Sequence, residues 1–493
     1  MEPAAPPDPR RWLALAVIAV AQLMIVLDAS IVNIALPSAQ AELGITDANR
    51  QWVVTAYTLA FGGLLLLGGR IADYMGRKRT FIIGLIGFAF ASALGGLTPN
   101  QELLFASRAL QGAFAALLAP AALALIAVTF TEARERAKAF GVFGALAGGG
   151  AAIGLVVGGT LTEYADWRWC LGVNVPIAIG TALAAMPLVH ESKAHGDTRY
   201  DVPGAVLGTL GLVSLVYGFT EAAKPDVGWT AGSTLGFLLL AGALLVTFVI
   251  VETGVRNPLL PLKIVLDRNR GGSYLLFLLL AAGLFAMFLF LTFYLQVVLG
   301  YSPLKSGLAF LPFSLGIIVT AGLVAQLLPR VGPRPLMLVG LVMATAGMFW
   351  LMRIEPDTAY LTHVLPPMIV MSVGMAGVFI PVSTTALVGV GGHDAGIASA
   401  VLNTSQQVGG SLGLALLNTL YAGAVTDFMT DNRLQPVPTP FGLQPPAEAL
   451  VHGYTTSFFW GGVLMLGALV VGAIFINAHK EDIPADPALA AAG

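Results

Sequence analysis

The sequence predicts an all-α polytopic membrane protein of fourteen transmembrane helices, and three observations carry that reading. Of the 493 residues, 57% are apolar and only 11% are charged, against roughly 25% charged in a soluble domain. Charge-free runs recur along the chain, at the length of about 20 residues that a helix needs to cross a bilayer core. Lys and Arg fall in alternate connections between those runs. With a mean hydropathy of +0.82, the chain cannot cover a water-facing surface with charge, which excludes a soluble globular protein. A net charge of −2 leaves no basic footprint, so no nucleic acid is expected as a partner. The single Cys170 excludes a disulfide framework and a Cys-based metal cluster; no metal site and no cofactor are expected.

The first element, 12–36, is interrupted only by Asp28 and follows Arg10 and Arg11. Ala39-Gln40-Ala41 could pass for a signal cleavage site. The apolar stretch is longer than the 7–15 residues or so of a signal core, and it holds an acid. It therefore reads as a retained span. The charge-free runs that follow are 51–69, 80–101, 109–131, 139–162, 169–190, 202–220, 227–251, 271–304, 306–329, 335–352, 364–393, 395–426 and 449–479. Barrel strands would alternate over about ten residues, and these runs do not. One alternate set of connections holds 18 of the 25 Lys and Arg; the other holds 6, from Arg50 to Arg433, and Arg108 lies within a span. By the positive-inside rule, both termini face the cytoplasm and the protein sits in the cell membrane. A missed span would scramble the alternation.

The loop Gly69–Arg79 reads GRIADYMGRKR, and 256 residues later Ala325–Pro335 reads AQLLPRVGPRP. Gly76 falls on Gly332 and Lys78 on Arg334, each loop following the second helix of its half. Transporters built of two parallel halves show such weak echoes, although any short cytoplasmic turn collects Gly and Arg. The resulting layout is a cytoplasmic N-terminus (1–11), a six-helix bundle (12–190), a linker with two inserted transmembrane helices (191–270), a second six-helix bundle (271–478) and a cytoplasmic tail (479–493).

Asp28 is the only acid well inside a span. A charge near mid-membrane costs at least ~2.5–3.5 kcal/mol and usually faces a cavity with a partner. Arg108 is the only base inside a span. Counted from the helix ends at 1.5 Å per residue, both lie in the outer half of the membrane, so a direct or water-bridged pair is possible. Arg keeps its proton, so its role is electrostatic. A nearby cation favours an ionised carboxylate and desolvation favours the neutral acid. Balanced between them, Asp28 can bind and release a proton as a cavity opens and closes. The bland alternative is a static ion pair that holds helices together. In the fifth span Gly141, Gly150, Gly154, Gly158 and Gly159 permit close helix packing.

These motifs together resemble the major facilitator superfamily, specifically its fourteen-helix drug:proton antiporter family of multidrug and antibiotic efflux transporters. Leu27-Asp28-Ala29-Ser30-Ile31-Val32-Asn33-Ile34-Ala35-Leu36-Pro37 resembles that family's first-helix signature, and Gly69–Arg79 the superfamily's loop 2–3 motif. Arg108, Gln111 and Gly112 resemble its fourth-helix proton-transfer motif, and Gly141–Gly159 its fifth-helix antiporter motif. Trp167-Arg168-Trp169 with Asn174-Val175-Pro176 resembles the signature opening helix six; Tyr294-Leu295-Gln296 to Pro312 and Ala398 to Gly413 match in the second half. The resemblance covers about residues 12–478. It departs at Leu155, where the antiporter motif has Pro, and a helix proline would remove a backbone hydrogen bond and kink the helix.

The resemblance implies a major facilitator fold, two six-helix bundles plus two central helices. It implies proton coupling at Asp28 and Arg108. It implies a conformational latch at Gly69, Asp73, Gly76, Arg77 and Lys78, for which the bland alternative is a solvated basic turn. Polar residues inside apolar spans are candidates for a substrate cavity: Tyr57, Gln111, Asn174, Gln296, Asn403, Gln406, Gln407 and Asn418. Each taken alone is more often a helix–helix hydrogen bond than a ligand contact. The expected activity is secondary active export of a small amphipathic organic compound, driven by the proton gradient, by a monomer in a lipid bilayer. The chain has no phosphate-binding G-x-x-x-x-G-K-[ST] loop and no cluster of catalytic groups, so no enzyme is expected. The alternative is a proton-coupled importer of a nutrient or metabolite on the same fold; the sequence does not name the substrate.

Overall fold

The computed structural model describes residues 9–193, 201–224, 226–255, 258–388, 390, 392–439 and 442–482. The first half contains α1 (Arg11–Leu43), α2 (Trp52–Met75), α3 (Arg77–Gly96), α4 (Gln101–Thr129), α5 (Ala133–Tyr164) and α6 (Trp169–Leu188). Two helices follow, α7 (Val202–Ala222) and α8 (Gly232–Gly254). The second half contains α9 (Arg268–Val298), α10 (Pro303–Val331), α11 (Pro333–Arg353), α12 (Tyr360–Leu387), α13 (Gly392–Asp431) and α14 (Ala447–Phe475). All but α5 are long and apolar enough, among the described residues, to cross a membrane. With α5, 32 residues long, they make the fourteen that the charge gaps predict. A two-stranded antiparallel ribbon, β1 (Val437–Thr439) and β2 (Gly442–Gln444), lies between α13 and α14.

Local sequence sets the helix ends. Asn100 caps α4 by accepting from the Leu103 N–H, and Asp201, Asp267 and Ser302 do the same for α7, α9 and α10. Each side-chain oxygen satisfies an N–H that has no partner inside its helix. Gly44 ends α1 at φ 63°, a conformation that glycine adopts without steric cost.

Within the first half, α1 packs on α5 and α6, α2 and α3 on α4, and α3 on α6. The second half repeats the scheme eight helices later: α9 on α13 and α14, α10 and α11 on α12, and α11 on α14. The loop echo is structural as well. Gly76 and Gly332 both turn the chain at positive φ, 119° and 88°. Lys78 donates to the Met186 carbonyl at the end of α6 (2.6 Å), and Arg334 to the Ala473 carbonyl at the end of α14 (2.9 Å). Paired positions thus bond to the last helix of their own half.

The halves meet along two seams, α2 on α13 and α5 on α10. Helix α7 lies against α2 and α13, and α8 packs on α7. Arg11 pairs with Glu135 at the start of α5 (2.8 Å), while Lys480 packs at Gly332 beyond the end of α10. The end of α5 meets the start of α10, with Gly159 beside Leu304, so Arg11 and Lys480 share one face of the bundle. That face is called the terminal face below, and its opposite the far face.

Candidate functional site

Three helices of the first half, α1, α4 and α6, meet at Asp28, which is fully buried, as is Arg108. Arg108 Nη1 donates to Asp28 Oδ2 at 2.6 Å. Gln111, one turn along α4, donates through Nε2 to Asp28 Oδ1 at 3.0 Å, and Asn174 of α6 donates to the same oxygen at 2.8 Å. A guanidinium and two amides are the donors an ionised carboxylate accepts. The depth comparison from sequence left a direct or water-bridged pair open; the contact is direct.

A second layer positions Arg108. Its Nε donates to the Val53 carbonyl of α2 (2.9 Å), its Nη1 also reaches Gln111 Oε1 (2.8 Å), and the Tyr57 ring lies 4.5 Å from its Cζ. Gln111 also donates to Ser92 of α3 (2.8 Å). The Tyr57 hydroxyl and Asn174 Oδ1 are buried with no hydrogen-bond partner in the protein. The hydroxyl is a donor and the amide oxygen an acceptor left over for a group that enters.

The α5 glycines set how closely α1 approaches. A Cβ on Gly150 would press on Leu23 and Val26, one on Gly154 on Leu27 and Ser30, and one on Gly158 on Ile31. All of these lie within two turns of Asp28. Gly159 faces Leu304 on α10, and Gly141 has open space. Leu155, where the motif would have Pro, is buried, and its carbonyl lies opposite Gly307 of α10. Helix α5 therefore touches both the helix that carries Asp28 and the other half.

The remaining sequence candidates divide. Tyr57, Gln111 and Asn174 belong to the Asp28 network. Gln296 sits in a π-helical turn that ends α9 and donates across the halves to the Ile34 carbonyl (2.9 Å). Gln406 and Gln407 are half-buried on α13, and Asn403 is exposed, donating to its own helix at Ser399 (3.0 Å). In the loop, Arg77 pairs with Asp73 (2.8 Å), and Glu191 accepts from the N–H groups of Lys78 and Arg79. A Cβ on Gly69 would meet Pro120 at 3.6 Å, an ordinary contact. All of these contacts stay inside the first half.

A cluster on the far face escaped the sequence reading, which counted Arg50 as a loop charge. Arg50 is 1% exposed. Its Nε donates to Asn418 Oδ1 on α13 (3.2 Å), and Asn418 donates back to the Asp47 carbonyl (2.8 Å). Its guanidinium carbon lies 4.3 Å from the Phe293 ring centre and 4.4 Å from that of Tyr421. Nearby, Thr58 and Ser411 share a hydrogen bond at 2.5 Å, and Thr404 donates to the Gly62 carbonyl. Among the described residues, hydrogen bonds between α2 and α13 stop at Gly62, ten residues into α2. The available signal was a polar Asn418 inside an apolar span with no partner on its own helix.

A family model described as the Major Facilitator Superfamily matches residues 18–414. The chain is 52% identical over 479 residues to the puromycin resistance protein pur8 of Streptomyces alboniger, covering 96% of this chain and 93% of that one. It is 41% identical over 413 residues to the cephamycin export protein CmcT of Amycolatopsis lactamdurans, covering 83% and 84%. Among solved structures, a bacterial homologue of the human lysosomal transporter Spinster, in an inward-facing and unoccupied conformation, superposes with a TM-score of 0.67. That match has 15% identity and covers 98% of this chain and all of that one. With fourteen helices in two repeated bundles and a family match across most of its length, this chain belongs to the Major Facilitator Superfamily.

Proposed function

We propose that the protein is a proton-coupled exporter of small amphipathic organic compounds, working as a monomer by alternating access, with Asp28 as the group that carries the proton. The observation that supports this most is the buried Asp28–Arg108 pair at 2.6 Å, set among amides. A buried ion pair is a weak source of stability, so its position argues for a task. The relatives named for antibiotic resistance and export favour export over import. The excess of Lys and Arg on the terminal face favours a cytoplasmic side for that face.

In the described conformation the far-face contacts close the outer entrance, and the ionised Asp28 is held by its three donors. Opening of the outer entrance lets a proton reach Asp28. The neutral acid no longer matches the Arg108 charge, so Arg108, Gln111 and Asn174 are released to rearrange. When the inner entrance opens, substrate and proton compete for this region, and the proton leaves to the cytoplasm. The latch residues Asp73, Arg77 and Lys78 act in the outward-open state, when the terminal ends of the halves come together. The half-buried Gln406 and Gln407 lie where α13 borders the first half and supply polar contacts to substrate.

The test uses purified protein in proteoliposomes with puromycin as the probe. An imposed proton gradient should drive puromycin against its concentration gradient, and dissipating the gradient should stop it. Equal uptake with and without a gradient would sink the proton-coupled reading.

A further inference from the structure

The Asp28 network does not use a second pair of buried acids. Asp201 is 3% exposed and Glu252 is 4% exposed. Asp201 caps α7 through Oδ1, which accepts from the Gly204 N–H (2.9 Å); Glu252, in the last turn of α8, accepts through Oε2 from the Leu260 N–H (2.9 Å). Each keeps one oxygen, Asp201 Oδ2 and Glu252 Oε1, buried and without a donor. Those oxygens point into one space. A Cβ built on Gly204 would lie 2.5 Å from the first and 2.7 Å from the second. They are therefore separated by no more than the sum of those lengths, and glycine leaves the gap open.

Among the described residues, the charges on the neighbouring helix α2 are engaged with its own tyrosine or with the start of α3. On α2, Arg70 bonds to Tyr74 and Asp73 to Arg77. Lys263, beyond the connector, is exposed. The next acid on α7, Glu221, is at the opposite end with Lys224. Among the described residues no third acid, His or Cys joins the pair to make a metal site. Two carboxylates in one buried space cannot both ionise at low cost.

We propose that Asp201 and Glu252 are a second proton-binding site, in which one proton shared between the two carboxyl groups fastens the inserted helices to the connector leading into the second half. Asp201 holds the start of α7, Glu252 the end of α8, and the Leu260 N–H ties the connector to them. Loss of the proton leaves two charges facing each other, and moving the connector relieves them. The fastener therefore holds when the solution on the terminal face is acidic and loosens as pH rises. It is independent of coupling at Asp28.

The test is infrared titration of the full chain in lipid from about pH 5 to about pH 9, with hydrogen exchange at Leu260. Wild type should show a protonated-carboxyl C=O band that bleaches as pH rises. The band should be retained in Asp28→Asn and lost in both Glu252→Gln and Asp201→Asn, the second of which keeps the helix cap. Exchange at Leu260, corrected for its intrinsic pH dependence, should accelerate with pH in wild type and stay flat in Glu252→Gln, whose amide can donate to Asp201 at every pH. A band unchanged by both substitutions, or the same pH dependence of exchange in wild type and Glu252→Gln, would overturn the proposal. Bleaching by added Mg2+ at constant pH would also overturn it, in favour of a metal ion.

Discussion

The two bundles share one helix-pairing scheme and differ in what fills their centres. The 256-residue shift that superposes the turns at Gly76 and Gly332 carries Asp28 to Leu284, which is buried in an apolar cluster. Where the first half has Asp28, Arg108, Gln111, Asn174 and Ser92, the second has Met337, Met348, Met368, Met371 and Met375 between α11 and α12, each at most 1% exposed. Methionine fills irregular space without directional demands. A charged network demands one geometry. The comparison teaches that packing alone satisfies this fold, so the polar centre of the first half is an addition to the shared design.

Replacing the titratable group should have the largest effect. Asp28→Asn keeps the shape but cannot change charge, so uphill export should be abolished while substrate counterflow without a gradient survives. Full uphill transport at normal expression would remove Asp28 from the mechanism. Leu284→Asn at the paired position sharpens the contrast. It should lower the thermal unfolding midpoint and leave the pH dependence of residual transport unchanged.

Arg108→Lys should come next. The guanidinium bonds to Asp28, Gln111 and Val53 at once, and an ammonium cannot reproduce that fork. Removing one partner of a buried pair costs about 3–5 kcal/mol, so transport should fall at least about 100-fold by the usual conversion of 1.4 kcal/mol per factor of ten. Wild-type rates in this variant would make Arg108 a bystander.

With Asp28 the one acid in the centre of the first bundle and none, among the described residues, in the centre of the second, one proton should move per cycle. Voltage is worth about 2.3 kcal/mol per elementary charge per 100 mV. It should drive export of a neutral substrate and leave a monovalent cation unaffected. Imposing voltage and pH gradients separately in proteoliposomes measures this. Strong voltage dependence for a monovalent cation would require a second titrating group in the transport path.

Arg50→Ala should act on the seam between the bundles. Removing a desolvated cation–π contact costs about 2 kcal/mol, which shifts the closed-to-open ratio of the far face roughly 30-fold. Spin-label distances across α2 and α13 should lengthen in the variant; an unchanged distribution would show that Arg50 does not hold the seam. The smallest effect belongs to Met375→Leu, a volume-conserving change expected to cost less than about 1.5 kcal/mol. Its unfolding midpoint should barely move, and its transport not at all.

Charge gaps and Lys/Arg alternation made the fourteen helices legible, because no water is present in the bilayer core to satisfy an exposed backbone or a bare charge. The same rule singled out Asp28 and Arg108. It could not reveal that Gln111 and Asn174 are donors to Asp28, since an amide in an apolar span looks the same whether it bonds to a neighbour or a ligand. Arg50 was read as a solvated loop charge because the sequence does not say that a loop folds inward over Phe293 and Tyr421. The Asp201–Glu252 pair is hidden for a similar reason, the two acids standing 51 residues apart at the ends of different helices.

The sequence by itself determined the class, the number of spans, their alternation and the two costly charges, because those follow from transfer energies that each segment incurs alone. The tertiary structure alone decided which polar groups meet: the amides on Asp28, the Arg50 cluster on the far face, and the facing oxygens of Asp201 and Glu252. Such contacts join residues dozens to hundreds of positions apart. Their energy depends on distance and angle, which no local pattern encodes.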